Sequence, residues 1–517
     1  MNVSVDIAAP HLNNPATSTA FKNGTPPSLS VIDYSCQPDS VSGNNTAYFH
    51  AIQSLDRSVV VYGLGGLSYG VIMTLAWMTA ASDGFNVTRF LFLLSCYCWP
   101  GVMTVSLIKP AIRKCTAIIY GAIILFIAGT ALIRSPSLTW DQLLYLWIFA
   151  NCPGTALLAA FLNRRVRAVG PLVLAFMVAA FSGAVIIVKM VGSSDRLMLG
   201  VADVGSKLGL EAWTVFVLLH FVGFALFGFL GWQLLLWVGR RYKKKRMSDQ
   251  SIMIDTLMLL FGVVHSFTLV FEGWGWIFTG LVAFAVFKMT VRFGFMFLAR
   301  QYGNSTESHV LLLLRVFSLG RRSERLFDSI SSVWLRIGSI SLISGPDLAT
   351  TTVEPHEFLD FMGGRLSRQF VQGENDLKQR LLSMDIRPDP DGRHRVNEFF
   401  CRADTWQMTM QQLARRSAAV LMDLRSFSKN NQGCIYELRQ LMDTIPLDRF
   451  ILAIDDSTDR EFLETKVMDI WQDLVPESPN ADLPKPVVRC FAVKKQGPKE
   501  MEKLLLMLFG VRTAIAC

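Results

Sequence analysis

None of the nine cysteines among the 517 residues stands in a C-x-x-C pair, so neither a zinc site nor a disulfide framework is indicated and no metal is expected. The first 57 residues lack the basic n-region and short apolar h-region of a cleavable signal. They also lack sustained periodicity, and their Ser, Thr, Asn and Pro content predicts a disordered segment. What is scarcest between residues 58 and 300 is charge. Eight long apolar runs fill that stretch, after which the sequence turns into that of an ordinary soluble domain.

A run of about 18 or more apolar residues crosses the ~30 Å hydrocarbon layer as a helix, and helices satisfy their own backbone hydrogen bonds in lipid. The expected spans are 58–80, 89–108, 116–133, 142–162, 169–191, 212–238, 252–271 and 274–291. Basic residues crowd the connections after the second, fourth and sixth: Lys109, Arg113 and Lys114; Arg164, Arg165 and Arg167; and Arg240, Arg241 and Lys243 through Arg246. The opposite connections offer Arg89, Arg134, Arg196 and Lys207, with Lys189 near a span end. Positive charge is retained on the cytoplasmic side, so both termini are expected there. The net charge of +9 is largely spent in these loops, which suits anionic lipid better than nucleic acid, and no nucleic-acid partner is expected.

Ionisable residues inside a membrane are functional candidates by default. His220 and His265 both fall in the outer half of the bilayer, where they would serve as a proton relay or ligand pair, or simply as interhelical hydrogen-bonding groups. Lys288 and Arg292, one turn apart, lie near enough to the cytoplasmic interface to snorkel, with Asp255 as a partner for them.

From residue 309 short apolar runs alternate with amphipathic helices, which predicts a mostly parallel, doubly wound α/β sheet in a soluble domain spanning 301–517. The strands are expected at 309–316, 338–343, 395–400, 418–423, 449–455 and 487–492, each apolar on both faces. Helices are expected from Pro355 to about Val371, after the caps Asp404 and Thr458-Asp459, and after Gly497-Pro498. Ligands in such sheets bind outside the carboxyl ends of the strands. That directs attention to Ser318, Arg321 and Ser323 after the first strand, to Ser344 through Asp347, and to Asp423 and Arg425. The first of these loops carries neither G-x-G-x-x-G nor a Walker pattern; its arginines beside a helix start suit an anion such as a nucleotide phosphate.

The stretch from Leu413 to Leu438 resembles the TIR-domain family: Ser417 precedes the apolar strand 418–422, and Cys434-Ile435-Tyr436-Glu437-Leu438 supplies C-x-x-E-L. Gly433 stands where the family has Trp, and about 50 residues with an additional strand intervene between the loop that follows the second strand (338–350 together) and the matching helix, so the resemblance is to a divergent member; a generic flavodoxin-like domain is the alternative. The resemblance implies that Glu437 is catalytic if the domain cleaves NAD, its carboxylate stabilising the oxocarbenium character that builds as the nicotinamide–ribose bond breaks. NAD would then be substrate, with no resident cofactor. Otherwise Glu437 is a solvated helix-start carboxylate.

The expectation is a bacterial inner-membrane signalling or stress-response protein, with a TIR-like output domain that binds or cleaves NAD or a related nucleotide and self-associates. The alternatives are a transporter or channel with a regulatory nucleotide-binding domain, and a non-enzymatic assembly module.

Overall fold

The computed structural model describes residues 45–81, 84–135, 137–161, 170–301, 309–315, 321–344, 370–483, 487–494 and 497–510. Its first part is helical: α1 (Asn45–Ala80), α2 (Val87–Tyr97), α3 (Trp99–Ile108), α4 (Arg113–Arg134), α5 (Trp140–Phe161), α6 (Gly170–Gly192), α7 (Asp195–Lys207), α8 (Ala212–Lys243), α9 (Asp249–Leu269) and α10 (Thr279–Gln301). Eight segments among the described residues are long and apolar enough to cross a membrane, and they coincide with the eight expected spans. The Pro-Gly pairs Pro100-Gly101 and Pro153-Gly154 behave differently. The second span breaks at Cys98, just before Pro100, into α2 and α3, whereas Pro153 lies within an unbroken α5.

Burial follows helix position. α9 runs through the middle of the bundle, packed by α1, α3, α5, α6 and α10, and buries Leu257, Met258, Phe261 and His265. α4 and α8 lie outside and expose Ile118, Phe126, Ile133, Phe221 and Phe229, the reverse of a water-facing surface. Small residues permit close crossings: a Cβ on Gly66 of α1 would sit 2.5 Å from the Gly101 Cα of α3.

Alternation of helix direction sets the start of α1, the basic turn after α3, the basic end of α8 and the end of α10 on one side of the bundle. The ion pair between Asp56 and Lys109 ties two of these together. α1 is longer than its span. At 1.5 Å per residue its 36 residues reach about 54 Å, and residues 45–57, expected to belong to a disordered segment, are its first turns. Ala47, Tyr48, Ala51 and Ile52 recur at helical spacing and pack into the core of the second domain.

That domain contains, among the described residues, β1 (Leu311–Arg315), α11 (Arg321–Trp334), β2 (Ile340–Ser344), α12 (Glu374–Leu382), β3 (Val396–Phe400), α13 (Trp406–Arg416), β4 (Ala419–Asp423), α14 (Gln432–Thr444), β5 (Phe450–Ile454), α15 (Arg460–Gln472), β6 (Arg489–Ala492) and α16 (Pro498–Phe509). All six expected strands are present and pair in parallel, in the order β3-β2-β1-β4-β5-β6. Without the edge strand β3, the remaining five run second, first, third, fourth, fifth. α11, α16 and the start of α1 cover one face of the sheet; α13, α14 and α15 cover the other.

Helix starts follow local chemistry. Gly497 precedes Pro498 at the first position of α16 as expected. α15 is capped by Asp459 alone, accepting from the Phe462 amide, while the Thr458 hydroxyl is drawn to the Leu424 carbonyl. α13 begins one residue beyond Thr405 and not at an Asp404 cap. The expected helix at 355–371 lies, but for its last two residues, outside the described residues.

Candidate functional site

β1 is flanked by β2 on one side and by β4 on the other, and the chain winds away from it in opposite directions, which makes the carboxyl ends of β1 and β4 the topological switch point. α11 leads away from β1 and α14 from β4, so both helix starts converge there. Among the expected site residues, Ser323, Asp423, Arg425 and Glu437 are described there and buried. Arg321 opens α11. Ser318 lies outside the described residues.

Asp423 is the centre of the polar cluster. Its Oδ2 accepts from the Ser323 hydroxyl at 3.2 Å and from Arg425 Nη2 at 2.6 Å, and its Oδ1 accepts from Arg425 Nε at 2.7 Å. Arg425 is 1% exposed. Expected to face a ligand, its guanidinium instead makes a bidentate pair with Asp423 and shapes the β4–α14 loop from within. Removing one partner of so buried a pair costs about 3–5 kcal/mol. The next residue, Ser426, holds φ at +61° although it is not glycine. Its hydroxyl meets that of Ser457 at 2.8 Å, which knits the β4 loop to the β5 loop. Nothing in the sequence marks Ser426: neither glycine nor asparagine advertises a left-handed turn there.

Glu437 lies on the second turn of α14. It is 5% exposed, and its Oε2 is buried with no hydrogen-bond partner among the described residues. It is therefore not a solvated helix-start carboxylate. Burial alone pushes its carboxyl up to about 8, so at neutral pH most molecules carry it as a neutral acid. Cys434, one turn earlier, lies near enough to feel both Glu437 and Asp423. Burial first, then those two charges, push its thiol up to about 12, which leaves it unreactive at neutral pH. The Ser323–Asp423–Arg425 cluster and the Cys434–Glu437 turn of α14 are thus both buried, and the Cys434 thiol feels a charge from each.

The chain matches no protein-family model, no curated protein and no solved structure.

The intramembrane candidates separate. His265 is fully buried, its Nδ1 2.9 Å from the Tyr69 hydroxyl, with Tyr97 and Phe261 against its ring. His220 on α8 is half-buried and its Nδ1 meets the Phe216 carbonyl of its own helix at 2.9 Å. The two histidines thus have unrelated surroundings. Lys288 donates to both carboxylate oxygens of Asp255, at 2.7 and 2.9 Å, the partner expected for it. Among the described residues no group of three His, Cys, Asp or Glu is arranged to hold a metal ion.

Proposed function

We propose that the chain is a multi-pass bacterial inner-membrane protein, both termini cytoplasmic, whose α/β domain is a TIR-like signalling or stress-response output module. In this reading the switch point binds NAD or a related nucleotide, and Glu437 acts as the nicotinamide–ribose bond breaks. One observation carries it: a carboxyl group buried without a partner on α14, the helix that leads away from β4 and its Asp423–Arg425 pair.

The chemistry supports that assignment. A neutral buried acid is a poor stabiliser of cationic character. A pyridinium ring arriving beside it favours the ionised form, however, and the resulting carboxylate sits in a low-dielectric site where a developing oxocarbenium ion interacts with it most strongly. Ser323 and Arg321 at the start of α11 supply the anion-attracting side. The order β3-β2-β1-β4-β5-β6 is also that of doubly wound sheets that take dinucleotides across the switch point.

The test is NAD consumption by full-length protein clustered in lipid nanodiscs. Glu437→Gln keeps shape and removes charge, so turnover is expected to fall about 100-fold or more while NAD affinity changes little. No consumption by the parental protein, or equal rates for the two, would reject the enzymatic reading and leave an assembly module.

A further inference from the structure

Arg336, two residues beyond α11, looks in the sequence like a solvated charge. It is 6% exposed. Its Nη1 donates to Ser58 of α1 at 2.8 Å and to the Asp391 carbonyl at 3.3 Å, and its Nη2 donates to Gln250 of α9 at 2.9 Å. The Asp391 carboxylate in turn accepts from Ser248, the N-cap of α9. One guanidinium therefore holds two membrane-spanning helices and the turn before β3.

A guanidinium presents its donors in a fixed fork, and a hydrogen bond weakens steeply once its geometry departs from the preferred range. Sliding of α1 against α9 by more than about 1 Å cannot preserve both contacts. Arg336 must then follow one helix, and a buried charge stripped of partners is strongly disfavoured.

What Arg336 follows, α11 follows. The turn behind the helix is closed by the Ile337 and Gly338 amides, both donating to the Trp334 carbonyl, and by Trp334 Nε1 donating to the Ser339 carbonyl at 3.2 Å. Trp334 stacks on Phe509 at 4.9 Å with planes 2° apart, and Phe509 meets Tyr48 of α1 at 6.0 Å. α1 thus grips the far end of α11 by two routes. The near end, about 20 Å away at 1.5 Å per residue, carries Ser323 and its bond to Asp423.

We infer that α11 is the lever through which the relative position of α1 and α9 sets the geometry of the Ser323–Asp423 cluster, so that the membrane bundle regulates the switch-point site. The inference rests on that cluster being the ligand site. Coupling between two sites is reciprocal; a ligand that tightens the cluster also favours one arrangement of α1 against α9. A second attachment joins bundle and domain: Arg395 donates to the Tyr242 carbonyl in the last turn of α8 and to the Met247 carbonyl beyond it, and pairs with Asp389. Its neighbour His394 donates its amide to the Leu335 carbonyl at 2.6 Å, so this attachment also meets the far end of α11.

Amide hydrogen exchange on the full chain in nanodiscs tests this without any ligand. Arg336→Lys keeps the charge and loses the fork. The expected result is exchange about tenfold or more faster at residues 323–327 and 423–427, with 460–472 at parental rates. Ser58→Ala, a milder cut that removes only the α1 contact, should show the same pattern at smaller amplitude. Faster exchange confined to residues 248–252 and 389–395 in both variants would overturn the inference. So would uniform acceleration that includes 460–472, which is lost stability and not a transmitted shift. Because no NAD is consumed, absence of turnover in the enzymatic assay leaves this result standing, and the reverse also holds.

Discussion

A carboxyl group taken out of water and given no donor raises its own pKa until the charge is gone, and folding carries the cost at every pH where the unfolded chain would ionise. For Glu437 the ordinary value is 4.5 and the folded value about 8. Its contribution to stability is therefore complete below about pH 4.5 and is lost as the pH rises through 8. At about 1.4 kcal/mol per unit, up to ~3 kcal/mol is forgone at pH 7. Glu437→Gln removes the titration, so the variant should be more stable than the parent by an amount that grows from nothing near pH 4.5 to a plateau above pH 8. Denaturant unfolding of both proteins in detergent at pH 5, 7 and 9 measures this difference. Taking the difference cancels Asp389, whose carboxyl is also raised, to about 6, by burial. A destabilising residue kept at a sheet's switch point is what a site with work to do looks like. A stability gain that accompanies loss of turnover would tie cost and function to the same atom.

At the scale of elements, close helix crossings depend on what is missing from them. α1 and α3 approach over Gly66 and Gly101, whose backbones leave no room for a Cβ. Gly66→Val is expected to cost about 1–3 kcal/mol or to force the two helices apart. Thermal unfolding in detergent should fall accordingly, while Gly121→Val, at a glycine with open space around it, should have little effect.

The elements themselves were largely legible. β2, β4 and β5 are short runs buried at every position, and that pattern has few other meanings; the spans are longer apolar runs. The missing pieces depend on what a residue faces, which periodicity does not carry. Asn45 to Arg57 is polar enough to resemble disorder, yet Ala47, Tyr48, Ala51 and Ile52 make one apolar stripe whose partners lie in the second domain, far along the chain. Arg336 and Arg395 look like surface cations, and both are buried. Glu437 was legible as a candidate through its motif, but its burial was not.

For the whole molecule, the arrangement has one sidedness. The start of α1, the basic end of α8 and the α/β domain meet at a single polar seam, where Lys245 pairs with Asp385 and Arg395 reaches the end of α8. If eight segments cross the bilayer, everything at that seam lies in one compartment and α7 lies in the other. In the proposed reading the excess Lys and Arg at the seam puts that compartment in the cytoplasm. Single cysteines introduced at Gly200 in α7 and at Lys244 beyond α8, in a chain cleared of native cysteines, decide this with a membrane-impermeant thiol reagent. Intact cells should label position 200 and leave 244 untouched until the membrane is opened; labelling of 244 from outside, or of neither or both positions in intact cells, would contradict the account.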